Sequence, residues 1–424
     1  MHVGCAPAGT ALPPGIDRSY VLYGPRSSPE VGCVGGLLFR VIQAYHLPPT
    51  ARAWDFLSIA LSVVAADEAC LRAHSPNGWT RQIALTVSVF DPAFWKSQVG
   101  TLQEALQFAT GDIWRVQFVD GGFLPGPLKQ SKPRPENIVS LLSGGMDSLI
   151  GAIDLVAAGQ RPLLVSQIAK GDKKAQLRFA KAVAPSSLHV QVNHNTQHVG
   201  RSERSQRARS LVFFGFGVLA ATCLARYGTG DRVELIVPEN GFISLNVPLT
   251  PLRLGSLSTR TTHPHCLARI QALLEAAGLN VRLRNPYQLK TKGEMLQDCS
   301  DQPLLKRLVG NSTSCGRYAR NAFTQCGRCV PCLVRRSSFH RWGVTDPTPT
   351  YKYAALSTPG PRYRDFDDVR AVAFAVETVR QRGLDAWIGG ALNSAQLDGA
   401  GDLRGVAQRG LSELEQFLRA QGVI

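Results

Sequence analysis

The sequence predicts an α/β protein built on a parallel sheet, with a small α+β unit before it and helices after it. Three observations carry this. From residue 136 onward, short apolar runs alternate with amphipathic stretches of helical period. A glycine-rich turn follows the first of those runs. Upstream, residues 121–135 hold four prolines and three glycines and read as a linker. Strands alternating with helices imply parallel pairing, with helices on both faces. Ligands then bind beyond the carboxyl ends of the strands.

Residues 1–50 are rich in Gly and Pro and show weak periodicity. A helix is expected over 54–71, strands over 82–89 and 113–119, and a helix over 93–109 between them. These define an α+β domain over residues 1–130, with Trp79, Trp95 and Trp114 filling its core. The second domain, 131–344, reads as strands 138–142, 162–165, 188–192, 233–237 and 280–283. Helices are expected at 148–158, 173–184, 203–227 and 264–277, with a long loop at 238–262. An extension, 345–424, opens Pro-rich and continues as helices near 365–382 and 402–420. No internal repeat is visible in the sequence.

The chain has 424 residues, 44% of them hydrophobic and 18% charged, an ordinary globular balance. Its longest apolar run, 211–225, contains Gly215 and Gly217 and is too short to span a bilayer. No membrane association is expected. Met1-His2-Val3-Gly4 does not open a basic stretch leading into an apolar one, so no signal peptide is expected and a cytoplasmic location is. Lys and Arg number 47 against 31 Asp and Glu, a net charge of +16. This suits a polyanionic partner: a nucleotide, a nucleic acid or an acidic protein. A solvated Arg-rich surface gives the same number. Ten cysteines in a cytoplasmic chain argue against disulfides.

The first candidate site follows strand 138–142. Leu142-Ser143-Gly144-Gly145-Met146-Asp147-Ser148 leads directly into a helix. Two glycines let the backbone turn tightly and approach a phosphate. The helix N-terminus directs N–H groups and positive dipole at that anion. Ser143 and Ser148 add hydroxyls, and Asp147 either holds Mg²⁺ or positions the loop. A Walker loop needs Gly-Lys-Ser/Thr, and a dinucleotide fingerprint needs a third glycine; both are absent. Ser-Gly-Gly also occurs as a plain strand-to-helix turn. Arg207 and Arg209, in the first turns of helix 203–227, are placed to clamp phosphates. Gln167 and Lys170 follow the second strand and are candidate adenosine contacts. The loop looks like the PP-loop of the ATP-pyrophosphatases, which cleave ATP between the α and β phosphates.

The second is Cys315-x10-Cys326-x2-Cys329-x2-Cys332. Four thiolates at these spacings suit tetrahedral Zn²⁺ with every position filled, hence a structural metal. An iron–sulfur cluster is the alternative. Residues 301–345 carry eight Lys or Arg and one acidic residue, a basic field around the cluster.

PP-loop and cysteine cluster in this order resemble the 7-cyano-7-deazaguanine synthase (QueC) family. Pro286-Tyr287-Gln288-Leu289-Lys290-Thr291-Lys292-Gly293-Glu294-Met295 is similar to that family's Pro…Thr-Lys-x-Glu stretch. The resemblance covers roughly residues 136–342. The N-terminal domain and the loop Glu239-Asn240-Gly241-Phe242-Ile243-Ser244 look more like the QueC-like proteins of anti-phage defence, such as QatC of the Qat system. The resemblance implies an adenine nucleotide alpha hydrolase-like sheet with a zinc knuckle, using ATP, Mg²⁺ and structural Zn²⁺. It implies adenylation of a 7-carboxy-7-deazaguanine-like acid with pyrophosphate release, then amide formation with an amine. The family's Asp-Cys-containing substrate loop is absent, which leaves the nitrile step open; the resemblance to the defence proteins implies that the amine is the N-terminus of a partner protein from the same defence operon. The alternatives are a free nitrile synthase and a tRNA-modifying enzyme; nucleic acid is not the favoured partner.

Glu239, Asn240, Gly241, Phe242 and Ser244 are the substrate-binding candidates, Glu239 and Asn240 by reading a purine-like edge. His263 and His265 flank Pro264 and read as caps or solvent-exposed side chains rather than general bases. Lys292 either meets a phosphate or sits on a helix face.

Overall fold

The first sheet comprises β1 (His2–Pro7), β2 (Arg18–Leu22), β3 (Gly32–Val34), β4 (Gln82–Ser88) and β5 (Ile113–Val119), ordered β3-β2-β1-β4-β5 and parallel throughout. The second comprises β6 (Ile138–Leu141), β7 (Pro162–Gln167), β8 (His189–Val192), β9 (Val233–Ile236) and β10 (Val281–Arg284), ordered β10-β9-β6-β7-β8, again parallel. Read from its other edge, the second sheet has the strand order of the first. The computed structural model describes residues 1–126, 130–168, 171–203, 206–249, 260–356, 368–392 and 400–424.

The small α+β unit expected over residues 1–130 is therefore corrected to a second parallel α/β sheet. Residues 1–50 supply three of its strands, joined by loops instead of helices, so they show no strand–helix alternation. Helices α1 (Leu38–Ala44) and α2 (Ala51–Ala69) connect β3 to β4. The helix expected at 93–109 is two, α3 (Pro92–Ser97) and α4 (Val99–Thr110). Asp91 caps the first by accepting from the Phe94 N–H, with Pro92 at its first position. Trp95 and Trp114 are buried, but Trp79 is 40% exposed and lies under the Arg207 guanidinium.

In the second unit α5 (Met146–Ala157) and α6 (Lys173–Val183) follow β6 and β7. The helix expected at 203–227 is shorter: α7 runs Arg209–Ala221, and α8 (Ala225–Gly228) follows a break. At that break Thr222 Oγ1 and Cys223 Sγ donate back to the Leu219 carbonyl. After β9 come the one-turn α9 (Gly241–Ser244) and then α10 (Pro264–Ala276) leading to β10. Strands β6 and β7 are buried along their whole length, as a sheet covered on both faces requires.

Helices in equivalent places join the two units. Helix α2, which crosses from the third strand to the fourth of its sheet, packs on α7, which does the same in the other. Helix α4 packs on α10, the next pair of equivalents. Gly215 makes the first contact close: a Cβ there would lie 3.0 Å from Leu57 and 3.3 Å from Ala60. A buried charge cluster seals the same boundary. Arg81 pairs with Asp67 and, at 2.6 Å, with Asp112, which Arg72 meets at 3.0 Å. Asp67 also accepts the N–H groups of Arg207 and Ala208 at the start of α7.

The remaining helices are α11 (Lys292–Asp298), α12 (Gln302–Leu308), α13 (Val330–Trp342), α14 (Asp368–Arg382), α15 (Leu384–Leu392) and α16 (Ala400–Ala420). Helices α14–α16 form their own apolar cluster with α9 and α13. The segments expected to open the tail helices near 365, and Lys170, lie outside the described residues. Among the described residues no helix is long and apolar enough to cross a membrane.

Candidate nucleotide site and cysteine centre

Strand order locates the site. Strand β6 lies between β9 and β7, and the chain leaves β6 toward β7 on one side and reaches β9 on the other. A crevice opens where the order reverses, beyond the strands' carboxyl ends. The glycine loop follows β6, and Pro238-Glu239-Asn240 follows β9. Between them is a pocket of about 230 Å³.

Gly144 has φ +90°, a conformation that costs an L residue strain, so glycine is required there. Gly145 caps α5, and its N–H donates to Ser143 Oγ at 3.2 Å. Ser148 Oγ lies 3.1 Å from Ser143 Oγ and donates to the Gly145 carbonyl at 3.0 Å. Ser143, Gly145, Met146 and Asp147 line the pocket. The first turn of α5 presents its N–H groups there, as an anion site requires. Leu142, by contrast, is fully buried in the core beneath the loop.

Asp147 is the centre of the arrangement. Its carboxylate pairs with the Lys292 ammonium and accepts from Asn240 twice, from Nδ2 at 2.7 Å and from the backbone N–H at 3.1 Å. Burial alone would raise its pKa; the Lys292 charge and hydrogen bonds with Glu239, Lys292 and Asn240 outweigh that and pull it down to about 2. Oδ1 meets Lys292 and Oδ2 meets Asn240, contacts that fix where the carboxylate stands in the loop. Lys292 lines the pocket beside it. Thr291 caps the Lys292 helix in a reciprocal capping box with Glu294.

The other expected residues divide. Arg209 opens α7 within electrostatic reach of Asp172, whose backbone a Cβ at Gly144 would approach to 3.6 Å. Arg207 does not join them. It is buried at the boundary between the units, donating to the Thr110 carbonyl at 2.7 Å and covering the Trp79 ring. The phosphate clamp expected of it is corrected on that ground. Gln167 is buried and engages His194 Nδ1 at 3.0 Å, while its carbonyl accepts from Gln176, which also bonds the Ser143 carbonyl.

Of the substrate-loop candidates, Glu239 lines the pocket and Asn240 stands behind it on Asp147. Gly241 gives its N–H to the Tyr287 and Lys290 carbonyls, and Ser244 bonds back to Gly241. Phe242 is 1% exposed and points into the cluster of the C-terminal helices. These three are corrected from substrate contacts to supports of the loop. Pro238, Ile243, Thr313, Ser314, Pro331 and Val334 line the pocket unforeseen. His263 Nδ1 accepts from the His265 N–H, the capping role expected of it.

Thr313 ties the cysteine centre to this site, donating its N–H to the Gly144 carbonyl at 3.0 Å. The sulfurs of Cys315, Cys326, Cys329 and Cys332 lie within 4.8 Å of one another and are buried. Two Sγ–Sγ separations are 3.8 and 3.9 Å, against about 3.8 Å for the edge of a tetrahedron with 2.3 Å metal–sulfur bonds. Backbone N–H groups of Arg317 and Cys326 point at Cys315 Sγ, and those of Arg328 and Cys329 at Cys326 Sγ, as thiolates require. The four sulfurs have the geometry to hold a metal ion. Pro331 and Val334 reach the pocket from the helix that carries Cys332, so the centre braces one wall. No protein-family model matches the chain, and neither does any curated protein.

Proposed function

We propose that the chain is an ATP-pyrophosphatase-type adenylating enzyme that activates a carboxylate as its AMP ester. The observation that carries this reading is a Ser-Gly-Gly loop at the reversal of a parallel sheet, opening a helix whose first acidic residue is anchored by a lysine and an asparagine from two other segments. The Ser143 and Ser148 hydroxyls and the α5 N-terminus would hold phosphate oxygens, with Arg209 and Lys292 adding positive charge. A substrate carboxylate oxygen attacks the α-phosphorus, and the bond from that phosphorus to the oxygen bridging to the β-phosphate breaks, pyrophosphate leaving with that oxygen and the electron pair. An amine then attacks the acyl carbon, AMP leaves, and the amine's proton passes to solvent. Held rigidly, the two reactants need only placement for the second step. Mg²⁺ accompanying ATP would offset charge on the leaving pyrophosphate.

The acid is read as a 7-carboxy-7-deazaguanine, with Glu239 at the pocket wall to meet a purine-like edge. The amine is read as the N-terminus of a partner protein in anti-phage defence, in the cytoplasm, and the cysteine centre as structural zinc. The test incubates the chain with ATP, Mg²⁺, ammonium and that acid, with and without proteins encoded beside it, following pyrophosphate and intact masses. Pyrophosphate release with a neighbour gaining the acyl mass supports the whole reading. Pyrophosphate with free nitrile overturns the protein acceptor, and no pyrophosphate overturns the substrate.

A further inference from the structure

Asp147 is held from two directions, by Asn240 at the start of α9 and by Lys292 at the start of α11. One face of the last helix backs both segments. Val406, Gly410 and Glu413 stand at i, i+4 and i+7 along α16 and so share a face. Val406 reaches Gly241: a Cβ there would lie 3.0 Å from its methyl group. Gly410 receives the Phe242 ring so closely that a Cβ at Gly410 would sit 2.3 Å from it. Glu413, 7% exposed, accepts the Thr291 hydroxyl through Oε1. That same oxygen and Arg341 close around Gly293, where a Cβ would come within 2.7 Å of each. Arg409, one turn away, pairs with Glu294 and donates to the Leu289 carbonyl at 2.8 Å. Residues 289–294 are thus gripped on both sides of Lys292.

We infer that α16 is a positioning element of the site: through Glu413 and Thr291 it aims Lys292 at Asp147, and through Gly410 and Phe242 it sets the Asn240 loop against the same carboxylate. Glu413 is a positioning residue and touches no ligand. Glu413 meets the Thr291 hydroxyl, the Gly293 N–H and Arg341 at the turn that carries Lys292, where an apolar residue would give cover at lower desolvation cost. The inference rests on the adenylation reading only for what Lys292 faces, not for how it is held.

Lys292 is the only buried lysine among the described residues, which gives a direct readout. Reductive methylation of the full chain, scored residue by residue by mass spectrometry against exposed Lys352, measures how firmly it is seated. Glu413→Ala should raise the Lys292 labelling rate roughly ten-fold, the scale of one lost buried hydrogen bond. Glu413→Gln, which keeps an oxygen for the Thr291 hydroxyl, should leave it near the parent rate. Thr291→Val also uncaps α11, so it is read as a cycle: adding Glu413→Ala to Thr291→Val should raise labelling little further, and a full additive rise overturns the inference. Unchanged labelling in Glu413→Ala and Thr291→Val overturns the inference, and so does equal exposure in Glu413→Gln and Glu413→Ala. Labelling needs no turnover, so its outcome and that of the pyrophosphate assay are separable.

Discussion

Asp147 and Lys292, 145 residues apart in sequence, meet as a buried ion pair in the wall of the pocket. Removing one member of such a pair strands the other charge, which costs about 3–5 kcal/mol. Lys292→Met should lower unfolding free energy by that order in urea titrations, and Lys292→Met with Asp147→Asn should recover much of it. The pair also predicts a pH dependence. Asp147 is held at about 2 when folded, below its value near 3.9 when unfolded. A depressed carboxylate contributes stability above the unfolded value and loses it as pH falls toward the folded one. The parent should therefore lose stability between pH 4 and 2 more steeply than Asp147→Asn, which lacks this proton.

Gly144 offers a test of the loop conformation with an internal control. At φ +90° an alanine is strained by about 1–3 kcal/mol, and its Cβ would press on Gln176 Cγ at 3.3 Å. Gly159, at φ +75° with nothing within 4 Å of its would-be Cβ, carries the same backbone strain away from the site. Gly144→Ala should abolish ATP-dependent pyrophosphate release at least ten-fold, whereas Gly159→Ala should lower melting temperature alone. Equal activity loss in both would separate the loop from the chemistry.

How much of this was legible varies with the reason each element forms. The second sheet was readable because helices separate its strands and its edges carry Gly and Pro. Of the first, β4 and β5 were readable, but β1, β2 and β3 were not, because they follow one another through loops and the shortest, β3, has three residues. The glycine loop and the four cysteines announce themselves by local spacing. Arg207 and Phe242 do not: their sequence neighbourhoods look like a phosphate clamp and a ligand loop. Only tertiary packing, against Trp79 in one case and Gly410 in the other, turns them inward. Lys292 had a local signal in its capping box, but its partner Asp147 is fixed by topology.

The cysteine centre should bind one metal ion per chain. Cys326→Ser should abolish that stoichiometry by elemental analysis and, because Pro331, Val334 and Thr313 depend on it, weaken nucleotide binding as well. Cys223→Ser is the control. Cys223 is equally buried, but its Sγ donates to the Leu219 carbonyl and stands outside the four-sulfur cluster. Metal content should stay at one there. Retained metal in Cys326→Ser would show that three sulfurs suffice and would reopen the centre to a fourth, exchangeable ligand.

Glu413 predicts a second pH effect, of opposite sign. Burial raises its pKa to about 7; Glu294 pushes the same way, and the Thr291 hydroxyl, the Gly293 N–H and Arg341 oppose without reversing it. Lys292, one residue past Thr291, is turned to Asp147, and Arg409 is taken by Glu294. A raised carboxylate contributes stability that is complete below its unfolded value, near 4.5, and is lost as pH climbs through the folded one. The parent should therefore lose stability, on the order of 3 kcal/mol, between pH 4.5 and 7, then level off. Glu413→Gln has no proton to lose and should remove that slope while retaining the Thr291 bond. The decisive measurement is the difference in unfolding free energy between the two proteins across this window. A difference that grows from pH 4.5 to 7 and is flat above it locates the titration at Glu413, whereas a constant offset means that the carboxyl titrates normally despite its burial.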